Sequence, residues 1–238
     1  MQNALRVIYP HQCLSCDEMV EGALALCGPC WRDTPFLGGV QCATCGAGLP
    51  GEDDGLDALC DDCLGLPRPW TRGTAVLSYD GNARRMVLAL KHGGRLDMVA
   101  PAARWIAGAA QRLVTPQTVV VPVPVHWVRL VSRRYNQSAL LAQATARALG
   151  LGCQPDALIR RRGTGTQDGK TVQDRFANLA GAICPHPRRG QRLAGKHVLI
   201  VDDVMTSGAT FTATTKACLQ AGATDVCVIA LARVTKPT

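Results

Sequence analysis

Aromatic residues make up only 4% of this 238-residue chain, so side chains on which nucleobases could stack are scarce. Trp105, Trp127, Tyr135 and Phe176 are the main candidates. No stretch approaches the roughly 18 apolar residues that a membrane-spanning helix needs. The opening MQNALRVIYPHQC also lacks a basic segment followed by an apolar one. A cytoplasmic protein is therefore expected. Basic residues are nearly missing from the first 70 positions, which hold three Lys/Arg (Arg6, Arg32, Arg68) against ten Asp/Glu, a net of −7.

Cysteine, by contrast, is plentiful. Eight of the 12 cysteines form four CxxC pairs before residue 64: Cys13/Cys16, Cys27/Cys30, Cys42/Cys45 and Cys60/Cys63. One CxxC turn brings two thiolates to an ion, and two turns complete a tetrahedral site. With no export signal to favour disulfides, the pattern points to two Zn²⁺ ions. Sequential pairing, 13/16 with 27/30 and 42/45 with 60/63, closes the shorter loops, while interleaved pairing stays open. Ions fully ligated by thiolate have no position left for a substrate, so both zincs are expected to be structural. Chelation is expected to unfold residues 13–63 before it disturbs ligand binding further along the chain. Cys153, Cys184, Cys218 and Cys227 lie in apolar surroundings and read as small core residues.

Residues 1–66 thus form a Cys-rich domain, and 67–70, around Pro67-Arg68-Pro69, reads as a stiff linker. Residues 71–238 hold 23 Lys/Arg against eight Asp/Glu, a net of +15. Such a domain should attract polyphosphate or nucleic acid, or dock against the acidic module. Its apolar pattern alternates helices and short strands: helices over 82–92, 102–113 and 136–149, strands over 119–123 and 157–161, then a βαβ unit from Val198 to Leu231. Thr171 and Asp174 have the spacing of a capping box that opens a helix with Val172, Phe176 and Leu179 on one face. The fold class is α/β, a doubly wound and mostly parallel sheet.

The most informative segment is VLIVDDVMTSGAT, residues 198–210. Four apolar residues make a buried strand, and Asp202 and Asp203 follow at its carboxyl end, where open α/β sheets bind ligands. Val204, Met205, Thr206, Ser207, Gly208, Ala209 and Thr210 then lead into a helix whose first N–H groups can hold a phosphate. Gly208 is expected where a side chain would block the phosphate. The turn lacks the Gly-Lys-Ser/Thr ending of a Walker loop. An acid pair beside a phosphate cradle suits phosphoribosyl diphosphate (PRPP). The acids can hold the 2′- and 3′-hydroxyls and favour positive charge on the sugar, while Mg²⁺ bridges hydroxyls and pyrophosphate. Arg129, Arg133 and Arg134 follow a strand and can clamp pyrophosphate. Lys170 lies in a Gly/Thr-rich stretch, residues 160–170, that can fold over the ligand.

With the four CxxC pairs and this segment, LKHGG at Leu90–Gly94, VPVP followed by RRYNQS, and RFANLAGAI at Arg175–Ile183 together resemble the ComF family, also called GntX-like. Its members join a double zinc ribbon to a type I phosphoribosyltransferase domain. The resemblance implies that Asp202 and Asp203 take the ribose hydroxyls and Thr206–Thr210 the 5′-phosphate. It also implies a role in natural competence, with contact to DNA-uptake machinery. Members commonly carry Gly-Phe where this chain has Arg134-Tyr135. Two functions follow: an enzyme that moves phosphoribosyl from PRPP to a nitrogen acceptor, releasing pyrophosphate, or a non-catalytic PRPP sensor that binds single-stranded DNA. Neither the acceptor nor the oligomeric state is written in the sequence.

Overall fold

The computed structural model describes residues 11–20, 22, 26–52, 54–126, 135–163 and 171–235. Five parallel strands form the central sheet in the spatial order β1 (Arg72–Ser78), β7 (Asp225–Arg233), β6 (His197–Met205), β2 (Thr118–Pro122), β3 (Gly152–Cys153). The inner strands are continuous apolar runs because both faces of a parallel sheet are covered. Along β6, Val198 and Ile200 join one core cluster, whereas Leu199 and Val201 join the other, as side-chain alternation requires. Helices Gly81–His92, Val99–Ala109 and Gln137–Leu149 supply the second cluster. Helix Ala209–Gln220 and the antiparallel pair β4 (Leu158–Arg160) and β5 (Ile183–Pro185) supply the first.

Local signals place the helix ends. The Asn136 side chain accepts from the N–H groups of Ser138 and Ala139, and Gly150 closes that helix in the left-handed region at φ +69°. Thr171 accepts from the Asp174 N–H at 3.1 Å and opens helix Val172–Leu179. The expected apolar face of that helix is shorter than its spacing suggests, because Val172 is exposed.

The N-terminal ribbons are part of the sheet's support. As an edge strand, β1 would expose a row of unpaired backbone groups. Leu37 N–H donates to the Val76 carbonyl, Ser78 N–H to Pro35 and Gly73 N–H to Ala43, at 2.8, 2.8 and 2.9 Å. The approach depends on two glycines. A Cβ on Gly73 would meet the Thr44 carbonyl oxygen at 2.3 Å, and one on Gly46, at φ +70°, would meet the Ala75 nitrogen at 2.2 Å. Cys42, Cys45 and Cys63 belong to the same buried cluster as Ile200, Met205 and Phe211. The stretch read as a linker is packed too. Trp70 is buried, donates to the Thr44 carbonyl at 2.7 Å and meets Phe211 edge-on with centroids 6.2 Å apart. Among the described residues no helix is long and apolar enough to cross a membrane.

Candidate functional site

The chain diverges at the carboxyl ends of β2 and β6. From β2 it continues outward to β3 through helix Gln137–Leu149, and from β6 it runs the opposite way to β7 through helix Ala209–Gln220. The two helices cover opposite faces of the sheet. Such a divergence opens a crevice between the strands, flanked by both helix N-termini.

Asp202 and Asp203 sit in this crevice, 8% and 4% exposed. The Ser138 hydroxyl donates to Asp202 Oδ1 at 2.6 Å, and the Asp203 N–H donates to the same oxygen at 2.9 Å. Asp203 is held from two sides, by Gln137 Nε2 at 3.0 Å and by Lys91 Nζ at 3.1 Å. One lysine does not offset two buried carboxylates. Burial first, and then the charge of Asp203, push Asp202 up to about 7, against the pull of Ser138 and Lys91. Gln137 Oε1 is buried and has no hydrogen-bond partner among the described residues. The crevice therefore offers two carboxylate acceptors and one amide oxygen to a ligand rich in hydroxyl groups.

Beyond Met205 the chain turns through Thr206, Ser207 and Gly208 into helix Ala209–Gln220, whose first intrahelical bond runs from the Thr212 N–H to the Gly208 carbonyl. The N–H groups of the first turn therefore have no intrahelical partner, an arrangement suited to an anion. Gly208 lies in the left-handed region at φ +80°. The reason for this glycine differs from the one read in the sequence. A Cβ here would meet Arg68 Nη1 at 3.1 Å and Trp70 Cη2 at 3.2 Å, so the crowding comes from behind the loop.

The eight ribbon cysteines assemble into two tetrads, 13/16/27/30 and 42/45/60/63, the sequential pairing. Within each, the Sγ atoms lie within 4.8 Å of one another, and Cys16–Cys27 and Cys45–Cys60 are each 3.6 Å apart. A tetrahedron with Zn–S bonds of about 2.3 Å has edges of about 3.8 Å, so both sets fit zinc and offer it closed, structural sites. N–H groups of Ser15 and Cys27 donate to Cys13 Sγ at 3.4 and 3.3 Å, orienting the ligand sulfur. Of the other cysteines, Cys218 and Cys227 are buried, while Cys153 and Cys184 are only partly so.

The structure thus brings Asp202, Asp203 and residues 204–210 together at one crevice. Arg129, Arg133, Arg134 and Lys170 lie outside the described residues, as does Trp127. Lys91, Gln137 and Ser138 are contributors that the sequence reading did not assign, although LKHGG and RRYNQS contain them. The three described base-stacking candidates are engaged elsewhere. Trp105 is edge-on to Phe36 at 5.3 Å, the Tyr135 hydroxyl donates to the Leu90 carbonyl at 2.6 Å, and Phe176 lies under the Arg68 guanidinium at 5.7 Å.

Two family models match this chain: a double zinc ribbon domain over residues 4–64 and a phosphoribosyl transferase domain over residues 135–238. The DNA utilization protein YhgH of Salmonella typhimurium is 31% identical over 227 residues, 93% of this chain and 89% of that protein. The protein of the same name from Escherichia coli K12 is 31% identical over 218 residues, 89% and 92% of the two chains. Competence protein F of Haemophilus influenzae is 27% identical over 180 residues, 73% and 78% of the two.

Proposed function

Because the chain belongs to the ComF (GntX-like) family of double zinc ribbon proteins with a phosphoribosyltransferase domain, we propose that it binds Mg²⁺-PRPP in the β2–β6 crevice and transfers the phosphoribosyl group to a nitrogen nucleophile. The observation that carries this reading is the pair of buried carboxylates, Asp202 and Asp203, set directly before an anion-binding turn at the head of helix Ala209–Gln220.

In this reading the N–H groups and hydroxyls of Thr206–Thr210 hold the 5′-phosphate. Asp202 and Asp203 accept from the 2′- and 3′-hydroxyls, with Gln137 Oε1 a further acceptor at the same sugar. Arg129, Arg133, Arg134 and Lys170, which lie outside the described residues, are the proposed partners of the pyrophosphate. Mg²⁺ bound with PRPP would supply charge neutralisation of the phosphates. The nitrogen lone pair forms a bond to C1′ as the bond from C1′ to the pyrophosphate oxygen breaks. Pyrophosphate carries away the electron pair, and the proton of the acceptor nitrogen passes to solvent. Negative charge from two adjacent carboxylates favours the oxocarbenium-like sugar at that moment.

A second reading, a PRPP sensor that binds single-stranded DNA without turnover, is favoured by the +15 charge of residues 71–238 and by the DNA utilization and competence names of its relatives. Pyrophosphate release separates the two. The enzyme reading expects PRPP-dependent release with at least one member of a panel of nitrogen acceptors, abolished in Asp202→Asn/Asp203→Asn. Tight PRPP binding with no release across the panel would support the sensor.

A further inference from the structure

Two buried or half-buried arginines stand between the second cysteine tetrad and the anion-binding turn. Arg233, 4% exposed at the end of β7, donates through Nη1 to the carbonyls of Met205, at 3.3 Å, and Thr206. Arg68, from the segment joining ribbons to sheet, donates through Nη1 to the Ser207 carbonyl at 2.8 Å. It sits over the Trp70 and Phe176 rings, at 5.7 Å from each centroid. Three consecutive carbonyls of the turn are therefore anchored on its inner side.

A trans peptide plane points its C=O and the next N–H in opposite directions. Anchoring the carbonyls of Met205, Thr206 and Ser207 inward thus turns the N–H groups of Thr206, Ser207 and Gly208 outward, to where a phosphate would lie. Cys42, Cys45 and Cys63 of the second tetrad share a buried cluster with Trp70 and Met205, and Trp70 Nε1 donates to the Thr44 carbonyl, between Cys42 and Cys45, at 2.7 Å. Neither Nε of these arginines has a hydrogen-bond partner among the described residues, so each guanidinium keeps a buried N–H that no described acceptor satisfies.

We infer that Arg68 and Arg233 are positioning residues for the phosphate-binding turn, and that the second metal tetrad, through Trp70 and the core beneath them, holds this turn in place, whereas the first tetrad does not. Ligand binding and second-site metal occupancy are then coupled, and the expectation that chelation spares ligand binding is reversed for this tetrad. Loss of the second zinc switches the site off. Among the described residues the first tetrad meets helix Gly81–His92 rather than the turn. It packs on the opposite face of the sheet, against the helix that carries Lys91: Leu14 lies in that core cluster, Asn82 Nδ2 donates to the Cys30 carbonyl at 3.4 Å, and Arg95 pairs with Asp17 at 3.2 Å.

This inference rests on reading residues 206–210 as a phosphate cradle, so the test has one arm that needs no ligand. Hydrogen exchange of backbone amides in 204–212 is measured on the full chain, beside zinc content and calorimetric titration with Mg²⁺-PRPP. Cys60→Ser should lose one zinc, speed exchange in the turn by about tenfold or more and weaken PRPP binding by a similar factor. Cys16→Ser should also lose one zinc, yet leave exchange in the turn within about twofold of the parent. Arg68→Gln should keep both zincs while loosening the turn, with partial recovery in Arg68→Lys, which restores the charge but not the planar fork. If Cys60→Ser does not fold, Arg68→Gln decides. Unchanged exchange in Arg68→Gln, or equal effects of Cys16→Ser and Cys60→Ser on the turn, would overturn the inference. A parent protein that binds no Mg²⁺-PRPP would count against the proposed function, while the exchange arm would still decide the coupling.

Discussion

Lys91 Nζ lies 3.1 Å from Asp203 Oδ1, which joins the end of helix Gly81–His92 to the carboxylate pair at the end of β6. Among the described residues it is the cation paired with this carboxylate pair.

Replacing Lys91 by Met should therefore leave two buried carboxylates without their counter-charge. Breaking a fully buried pair typically costs about 3–5 kcal/mol. Lys91 is 22% exposed, so a loss of about 2 kcal/mol at pH 8 is expected by urea denaturation. A loss below about 0.5 kcal/mol would show that the pair is solvent-compensated.

Asp202 sets a pH dependence. Its folded pKa is raised from 3.8 to about 7, so the folded state holds a proton there that the unfolded chain has released. Stability from this group is complete below about pH 4 and is lost as pH rises through about 7. Asp202→Asn should consequently be more stable than the parent at pH 8 and should flatten its stability profile between about pH 4 and pH 7, the range spanned by this titration. PRPP binding should weaken in the same variant. A variant destabilised at pH 8 would mean that the hydrogen bonds from Ser138 and Asp203, rather than the buried charge, dominate.

Much of this was legible in the sequence, and the failures have physical causes. The order β1-β7-β6-β2-β3 was not readable, because pairing between distant strands leaves no local trace. The carboxylates and turn of 202–210 were readable, since their chemistry is contiguous. Lys91 was quoted within LKHGG but carried no role, because a lysine near a helix end reads as a solvated charge. Arg68 was placed in a linker because prolines flank it, yet the ribbon folds back so that it reaches Ser207. Arg233 gave no signal at all. Buried arginines are rare, and only tertiary structure shows what compensates one.

Gly208→Ala tests the backing of the turn. The left-handed conformation costs a non-glycine residue about 1–2 kcal/mol, and the new Cβ would press on Arg68 and Trp70. Thermal unfolding should show at least that loss, with weaker PRPP binding. A variant as stable as the parent would argue against the left-handed conformation.

Single-stranded DNA binding should be modest and steeply salt-dependent, since Trp105, Tyr135 and Phe176 are already packed. In the 160–162 cluster, Arg162 donates to the carbonyls of Asn178 and Ala180 at 3.1 and 3.2 Å, so part of the cluster closes helix Val172–Leu179. Arg161→Gln should therefore weaken binding of a fluorescent oligothymidylate without changing stability, whereas Arg162→Gln should lower both. If neither variant alters DNA affinity at low salt, the cluster is not a nucleic-acid track.

Calorimetric titration of the full chain with PRPP, with and without Mg²⁺, bears on the site itself. The parent should bind Mg²⁺-PRPP with micromolar or better affinity and bind metal-free PRPP far less well. Asp202→Asn/Asp203→Asn should lose at least about 100-fold, because no other described residues offer paired carboxylates to the ribose. Equal affinity in the parent and the double variant would place the ligand elsewhere and refute the crevice between β2 and β6 as its site.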